Sequence, residues 1–297
     1  MVDWKAADNA PKQQASRKRM WALTHQVATV PCVLRTVSAA YQARIAMKIV
    51  RFQQNGKIGW GSLHNDVIYG MAGDIFNNPT ETQDRFLLQD VKLLPPVDPP
   101  KIVAIALNYA PHIKESPYFA APEVPMMFLK PPTCVIGHLD HIVLPADAKK
   151  IDYEGELAVV IGRKAKNVSE SNALNYVLGC SIMNDVSARD YKVQDNSFTR
   201  SKGTDTFGPF GPCIATGLDP NRLQLVTRLN GNIVQSASTS EMLFHVPKLI
   251  SFASQYMTLM PGDVIATGTP SGVNALHRGD VIEIEIEGIG VLKNFVS

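Results

Sequence analysis

Ile151-Asp152-Tyr153-Glu154-Gly155-Glu156-Leu157-Ala158-Val159-Val160-Ile161 is the most informative stretch of this 297-residue chain. Its second half is an unbroken apolar run, and residues 152–161 read as a β-strand. In a strand, residues two apart face the same side, so Glu154 and Glu156 project together while Gly155 leaves space opposite them. Like charges that close require a cation. Taken alone, an E-x-E pattern is more often a hydrated strand surface than a metal site. A third carboxylate in a similar setting changes the balance, because Gly179-Cys180-Ser181-Ile182-Met183-Asn184-Asp185 is an apolar run that ends in an acid. Oxygen donors from Glu154, Glu156 and Asp185 suit Mg²⁺ or Mn²⁺ and leave about three octahedral positions for water and substrate. The set has no His or Cys, which argues against zinc.

Outward from this stretch, residues 47–52, 58–63, 66–71, 102–106, 214–216, 224–229 and 281–286 also read as strands, the first two joined by an Asn55-Gly56 hairpin signal. Residues 86–92 complete a small amino-terminal unit. Helical pattern is rarer and covers residues 169–177, the stretch after Asp185, and 242–256, where Leu243, Val246, Leu249, Ile250 and Ala253 share a face. The segment from Arg200 to Phe207, rich in Gly and Thr, reads as loop. The fold class is therefore α+β and strand-dominated. Prolines 95, 96, 99 and 100 interrupt helix and ladder alike, which sets the boundaries at a basic extension over residues 1–46, a small subdomain over 47–98 and a larger domain over 99–297.

Charge separates the extension from the rest. The whole chain is +2, but residues 1–46 hold seven basic side chains against Asp3 and Asp8, so the body is net acidic. An acidic body with 45% hydrophobic residues has no electrostatic footprint for nucleic acid. No apolar stretch approaches the roughly 20 residues that span a bilayer, so no membrane partner is expected. The four cysteines, Cys32, Cys134, Cys180 and Cys213, lack disulfide density and zinc spacing and read as free thiols in a reducing compartment. The acid-poor, Arg-containing head is either a targeting segment or an over-long reading of the gene, so the compartment is cytoplasmic or mitochondrial. The chain carries no P-loop, no dinucleotide glycine fingerprint, no H-E-x-x-H and no G-x-S-x-G.

Four ordered motifs now converge: Tyr153-Glu154-Gly155-Glu156-Leu157; Asn184-Asp185-Val186-Ser187-Ala188-Arg189-Asp190; Lys202 with Asp205-Thr206-Phe207-Gly208-Pro209; and Gly262-Asp263-Val264-Ile265-Ala266-Thr267-Gly268-Thr269-Pro270-Ser271-Gly272-Val273. Over residues 47–297 the chain resembles the fumarylacetoacetate hydrolase family, in its general acylpyruvase and oxaloacetate decarboxylase/tautomerase branch. The resemblance implies a mixed β-sandwich/β-roll catalytic domain, a divalent metal on Glu154, Glu156 and Asp185, and a homodimer. It also identifies Asn108-Tyr109-Ala110-Pro111-His112-Ile113-Lys114-Glu115 as a lid, with Tyr109 against the substrate and His112 and Glu115 as a water-activating dyad. By the same resemblance, Lys202 neutralises an oxyanion, Thr269 offers a hydroxyl and backbone donor to a substrate carboxylate, and Arg189 makes a second substrate contact.

The chain departs from the family pattern at several places. Lys192 stands where the family often has Gln, Pro111 where it often has Asp, and Asn274 where it often has Gly, while His138 and His141 stand where it often shows proline. An extra cation at Lys192 either favours a more anionic substrate or merely points outwards. The expected activity is hydrolysis of a carbon–carbon bond in a small 1,3-dicarbonyl (acylpyruvate-like) oxo acid through an enolate held by positive charge. Oxaloacetate decarboxylation or keto–enol tautomerisation, and hydroxydienoate isomerisation, pass through the same intermediate and are the alternatives. A metal-binding protein without turnover is a further one, against which the presence of His112 and Lys202 weighs.

Overall fold

The structure, a computed structural model, describes residues 46–115 and 120–297. The expected basic extension lies outside the described residues except for Ala46. The amino-terminal strands are β1 (Lys48–Gln54), β2 (Lys57–His64), β3 (Val67–Ala72), β4 (Thr80–Leu87) and β5 (Lys92–Leu94). Between β1 and β2, Asn55 and Gly56 take φ of 50° and 76°, the left-handed pair that the Asn-Gly hairpin signal requires. Strand β4 starts earlier than the apolar pattern at 86–92 implies. It is a sheet edge whose first six residues are polar and mostly exposed, so hydrophobic periodicity gave no sign of it.

Next come β6 (Ile102–Ala106), helix α1 (Ala110–Lys114), β7 (Met126–Lys130), β8 (Val135–Ile136), β9 (His141–Ile142) and β10 (Ile151–Asp152). Then follow β11 (Gly155–Ile161), β12 (Val177–Asn184), β13 (Ser187–Ala188), helices α2 (Arg189–Asp195) and α3 (Thr199–Gly203), and β14 (Gly208–Ala215). The chain closes with β15 (Gln224–Leu229), β16 (Asn232–Ser238), α4 (Val246–Tyr256), β17 (Val264–Ala266), β18 (Val281–Ile286) and β19 (Gly290–Val296). A twelve-stranded sheet runs β4-β3-β2-β1-β14-β12-β11-β17-β6-β7, with β5 beside β1 and β8 beside β14. A five-stranded sheet runs β16-β15-β18-β19-β9, and β10 pairs with β13. The strand-dominated α+β class read from the sequence is the one observed.

Strand β11 lies deep in the large sheet, and every one of its residues is buried. Leu157, Val159 and Ile161 pack with Leu225 and Ile284 of the small sheet and with Leu249 and Ile250 of α4. Ala158 and Val160 pack on the other face with Ile102, Ala104, Met183 and Val264. Burial on both faces is the physical reason for the continuous apolar run.

Four local readings need correction. The expected single strand over 152–161 is broken at Tyr153 and Glu154, because the Glu154 amide donates to Asn184 Oδ1 (2.9 Å) and the Tyr153 amide to Asn274 O (3.2 Å) instead of to a ladder. Residues 169–177 are a 3₁₀ helix (Glu170–Tyr176) and not an α-helix. The last helix begins at Val246 rather than 242, since Pro247 occupies its first turn, where no amide is needed. Lys202 lies in helix α3 and not in a loop. Ser201 Oγ donates to Ala188 O (2.7 Å), and this docking overrides the weak helix propensity of Thr and Gly.

The space expected opposite the two glutamates is real and is filled by the small sheet. A Cβ at Gly155 would lie 2.4 Å from Thr227 Oγ1, 3.1 Å from Gln235 Oε1 and 3.3 Å from Ile284 Cγ2. Cys134, Cys180 and Cys213 are buried, and among the described residues no helix is long and apolar enough to cross a membrane. The two sheets meet so closely at Gly155 that Gly155→Ala is expected to destabilise the fold by about 1–3 kcal/mol, the usual cost of overpacking. A fall in the thermal unfolding midpoint checks this, and an unchanged midpoint would contradict it.

Candidate active site

Pairing of β11 with β12 sets Gly155 opposite Asn184, and the Asp185 amide one residue on donates to Glu154 O at 2.8 Å. Two strand ends thereby converge. Glu154, Glu156 and Asp185 are all buried, and each offers an oxygen within 4.8 Å of the others. Three cations surround them. Lys202 Nζ donates to Glu154 Oε2 (2.7 Å) and Asp185 Oδ2 (2.5 Å). Lys130 Nζ donates to Asp185 Oδ1 (2.6 Å) and Phe207 O (3.1 Å) and to the Lys202 carbonyl. Arg189 donates through Nε to Asp152 Oδ2 (2.6 Å) and through Nη2 to Glu154 Oε1.

The titration behaviour follows from this arrangement. Burial alone would raise the Glu154 carboxyl, but Lys202 and then Arg189 outweigh it and hold the group well below the usual carboxylate range. Glu156 goes the other way. Burial pushes it well above its ordinary value, Asp185 and Glu154 add to that, and the Lys202 charge and then the Gly268 amide (2.9 Å) compensate only in part. Among the described residues no cation reaches Glu156 within ion-pair distance. Counting Asp152, which also meets the exposed Lys150 at 3.8 Å, four carboxylates face four cations, yet none of these cations pairs with Glu156 at the cavity wall. A buried, all-oxygen donor set with one carboxylate left without an ion-pair partner fits a divalent metal ion.

Helix α1 carries the dyad. His112 Nδ1 donates to Glu115 Oε2 (2.9 Å), and Glu115 Oε1 accepts the Gly272 amide (2.7 Å), so helix α1 and the loop after β17 share one carboxylate. Asn108 anchors the start of the helix. Its Nδ2 donates to Thr267 O (2.8 Å) and Phe244 O (3.0 Å), and its Oδ1 accepts the Phe244 amide (2.8 Å). Pro111 sits in the first turn of α1, where proline is suited, so this departure from the family pattern is structurally neutral. Leu107, which also lines the cavity, is held at φ 58°, a left-handed conformation that is strained for leucine.

One cavity of about 640 Å³ is lined by His112, Glu115, Glu154, Glu156, Arg189, Lys192, Lys202 and Thr269, with Lys150, Met126, Val193 and Phe198 among its other walls. Asp185 completes the carboxylate cluster from behind that wall. Tyr109 departs from its expected substrate contact. Its ring is 1% exposed within the core, it is not part of the cavity wall, and its hydroxyl has no hydrogen-bond partner among the described residues. Burial and then the Glu156 charge drive its phenol above the usual range. Thr269 needs a refinement, since its hydroxyl donates to Gly155 O (2.9 Å) and accepts from Gln235 Nε2 (2.8 Å); among the described hydrogen bonds its backbone amide is the donor left uncommitted.

Sequence reasoning missed Lys130, Asp152 and Asn108. A lysine that ends the apolar strand β7 just before two prolines was the available signal for Lys130, parallel to the one used for Asp185.

Residues 101–297 match the model described as fumarylacetoacetate (FAA) hydrolase C-terminal, and residues 47–96 match the one described as Rv2993c-like, N-terminal. The chain belongs to the fumarylacetoacetate hydrolase family. An uncharacterized family protein of Archaeoglobus fulgidus is 49% identical over 244 residues, covering 82% of this chain and 94% of the relative. The rat mitochondrial protein named oxaloacetate tautomerase Fahd2a is 40% identical over 215 residues, covering 69% of this chain and 68% of the relative. Among solved structures, the 5-carboxymethyl-2-hydroxymuconate delta-isomerase of Mycobacterium smegmatis superposes with a TM-score of 0.80 at 43% identity, covering 84% of this chain and 99% of that one.

Glu156 gives the site a pH signature in metal-free protein. Its folded value is raised above the roughly 4.3 of an unfolded glutamate, so the stability it contributes is whole below that pH and is lost as pH rises through the raised value. In a chelator, the unfolding midpoint of the wild type is expected to fall relative to Glu156→Gln as pH climbs through this window, and the two should converge in acid. Saturating Mg²⁺ reverses the order near neutrality, because the variant has lost a ligand. Parallel midpoint-versus-pH curves in chelator would contradict this.

Proposed function

We propose that this chain is a divalent-metal-dependent enzyme that moves a proton next to the carbonyl of a small dianionic 2-oxo acid, a keto–enol tautomerase acting on an oxaloacetate-like substrate. The observation that carries the reading is the placement of the His112–Glu115 dyad and the Lys202-centred carboxylate cluster on the walls of one cavity. Glu154, Glu156 and Asp185 would hold the metal, Mg²⁺ or Mn²⁺, which supplies the positive charge that makes an enolate accessible. Lys202 has three N–H donors and spends two on Glu154 and Asp185, leaving one for the substrate oxygen on which negative charge develops. The Thr269 amide holds the substrate carboxylate. Glu115 fixes the His112 proton on Nδ1, so Nε2 carries the lone pair that takes the proton from the carbon beside the carbonyl. The proton lost from carbon is balanced by one gained on oxygen, and the reverse sequence returns the ketone.

Dianion preference is supported by the cations on the cavity wall. Lys150, Arg189 and Lys192 join Lys202 there, and burial, Arg189 and Lys202 together lower the Lys192 ammonium from its ordinary value. Names of relatives point the same way, toward proton relocation in oxo and hydroxydienoic acids. A second reading, hydrolysis of a carbon–carbon bond in a 1,3-dicarbonyl acid, is favoured by the same dyad, which would serve equally to deprotonate water. We also propose that the enzyme works as a homodimer, for which light scattering should give twice the chain mass.

The deciding experiment assays oxaloacetate, acetylpyruvate and fumarylacetoacetate with Mg²⁺ and in chelator, with products identified. Accelerated enol–keto interconversion of oxaloacetate supports the proposal. Cleavage of acetylpyruvate without that acceleration hands the assignment to the second reading. Inactivity on the whole panel, with Mg²⁺ binding present in wild type and lost in Glu154→Ala, leaves a non-enzymatic metal protein.

His112→Asn and Glu115→Gln should each lower kcat by about 10²–10⁴, the usual scale of general acid–base catalysis. Lys192→Gln should cost about tenfold in kcat/KM on a dicarboxylate, the worth of one hydrogen bond to a charged group, and much less on a monocarboxylate. Equal losses on both substrates would remove Lys192 from substrate recognition.

A further inference from the structure

Gln235 stands on β16 in the small sheet, 2% exposed, and is not part of the cavity wall. A buried carboxamide must place one carbonyl oxygen and two N–H donors. Here all go to the site: Oε1 accepts the Gly155 amide (3.1 Å), and Nε2 donates to Thr269 Oγ1 (2.8 Å) and Pro270 O (3.0 Å). Gly155 lies between the metal-ligand candidates Glu154 and Glu156, while Thr269 and Pro270 belong to the loop that supplies the free amide. One side chain from the second sheet therefore braces two separate parts of the site.

The same stretch of β16 also supports the far end of that loop. Gly272 has φ +95°, and a Cβ there would lie 2.0 Å from Val234 O and 3.3 Å from Gln235 Cγ. Its amide is the one that holds Glu115.

We infer that Gln235 is a positioning residue, setting Thr269 against the carboxylate-bearing strand so that the Thr269 amide meets the substrate carboxylate. This rests on the reading of the cavity as an oxo-acid site. Hydrophobic packing alone would be met by an aliphatic side chain, whereas a carboxamide spent entirely on the strand and the loop fixes distance and direction. With the Thr269 hydroxyl committed to Gly155 O and to Gln235, the backbone amide is the donor this residue has left for a ligand in the cavity that it lines.

The test compares wild type with Gln235→Met, which keeps side-chain length and loses these hydrogen bonds, and with Gln235→Glu, which keeps an acceptor for Gly155 but loses the donor to Thr269. Thr269→Val is made alone and combined with Gln235→Met. Steady-state kinetics on the active oxo acid with Mg²⁺ are paired with calorimetric titration of oxalate, a planar dianion that does not react. Gln235→Met should raise KM and the oxalate Kd about tenfold, the worth of one or two buried hydrogen bonds, with kcat changed by less than about threefold. Gln235→Glu should raise both at the cost of a lower unfolding midpoint, because its carboxylate is buried without a cation, and Thr269→Val alone should raise both and decides the matter if neither Gln235 variant folds.

If Gln235 acts through Thr269, Gln235→Met adds little to Thr269→Val. Multiplicative losses in the double variant, or wild-type KM and oxalate affinity in Gln235→Glu, overturn the inference while the proposed function stands. A wild type that neither turns over an oxo acid nor binds oxalate overturns both.

Discussion

Confinement of like charge is the constraint on which this structure depends. Glu154, Glu156 and Asp185 are held within a few ångströms of one another and away from water, with Asp152 close by. Burying such groups costs several kcal/mol each unless they are paired and hydrogen-bonded. Compensation comes from far apart in the chain: Lys130 at the end of β7, Arg189 opening α2, Lys202 in α3, and the Gly268 amide after β17. Four elements must be docked before the acids are tolerable, so the site and the centre of the fold are one construction.

The compensation is incomplete, and its incompleteness has a location. Glu154 and Asp185 are each paired with ammonium or guanidinium groups, while Glu156 relies on a backbone amide. A site designed only for stability would have placed a cation beside Glu156 or removed the charge. Leaving that charge on the wall of a cavity also lined by His112 and Lys202 is what makes the cluster suited to a metal and its ligand. Helix α1 belongs to the same economy of partners, since Glu115 orients His112 with one oxygen and receives the Gly272 amide with the other.

How much of this could be read in advance varied with the type of interaction. Strands buried on both faces, such as β6 and β11, and strands alternating at period two, such as β18, announced themselves through apolar pattern. Strand β4 did not, because an exposed edge needs no apolar periodicity. Helix α3 was hidden because its stability comes from Ser201 docking on Ala188 rather than from its own residues. Tyr109 went astray for a related reason: its place in a motif gave its neighbourhood along the chain, but the direction of its ring is set by core packing.

By itself the sequence determined the strand-dominated class, the central apolar strand and the three carboxylates, because each leaves a local trace: an unbroken apolar run, an acid where a buried strand ends, a fixed spacing; His112, Glu115 and Lys202 were singled out by resemblance to the family. Only the tertiary structure decided which cations answer those acids, that Lys130 is one of them, that Arg189 is tied to Asp152 and Glu154, that the Thr269 hydroxyl is already engaged, and that Gln235 joins the strand to the loop. Those are contacts between residues distant in sequence, and their physical basis is charge balance and hydrogen-bond saturation inside a closed volume, which no local pattern of residues records.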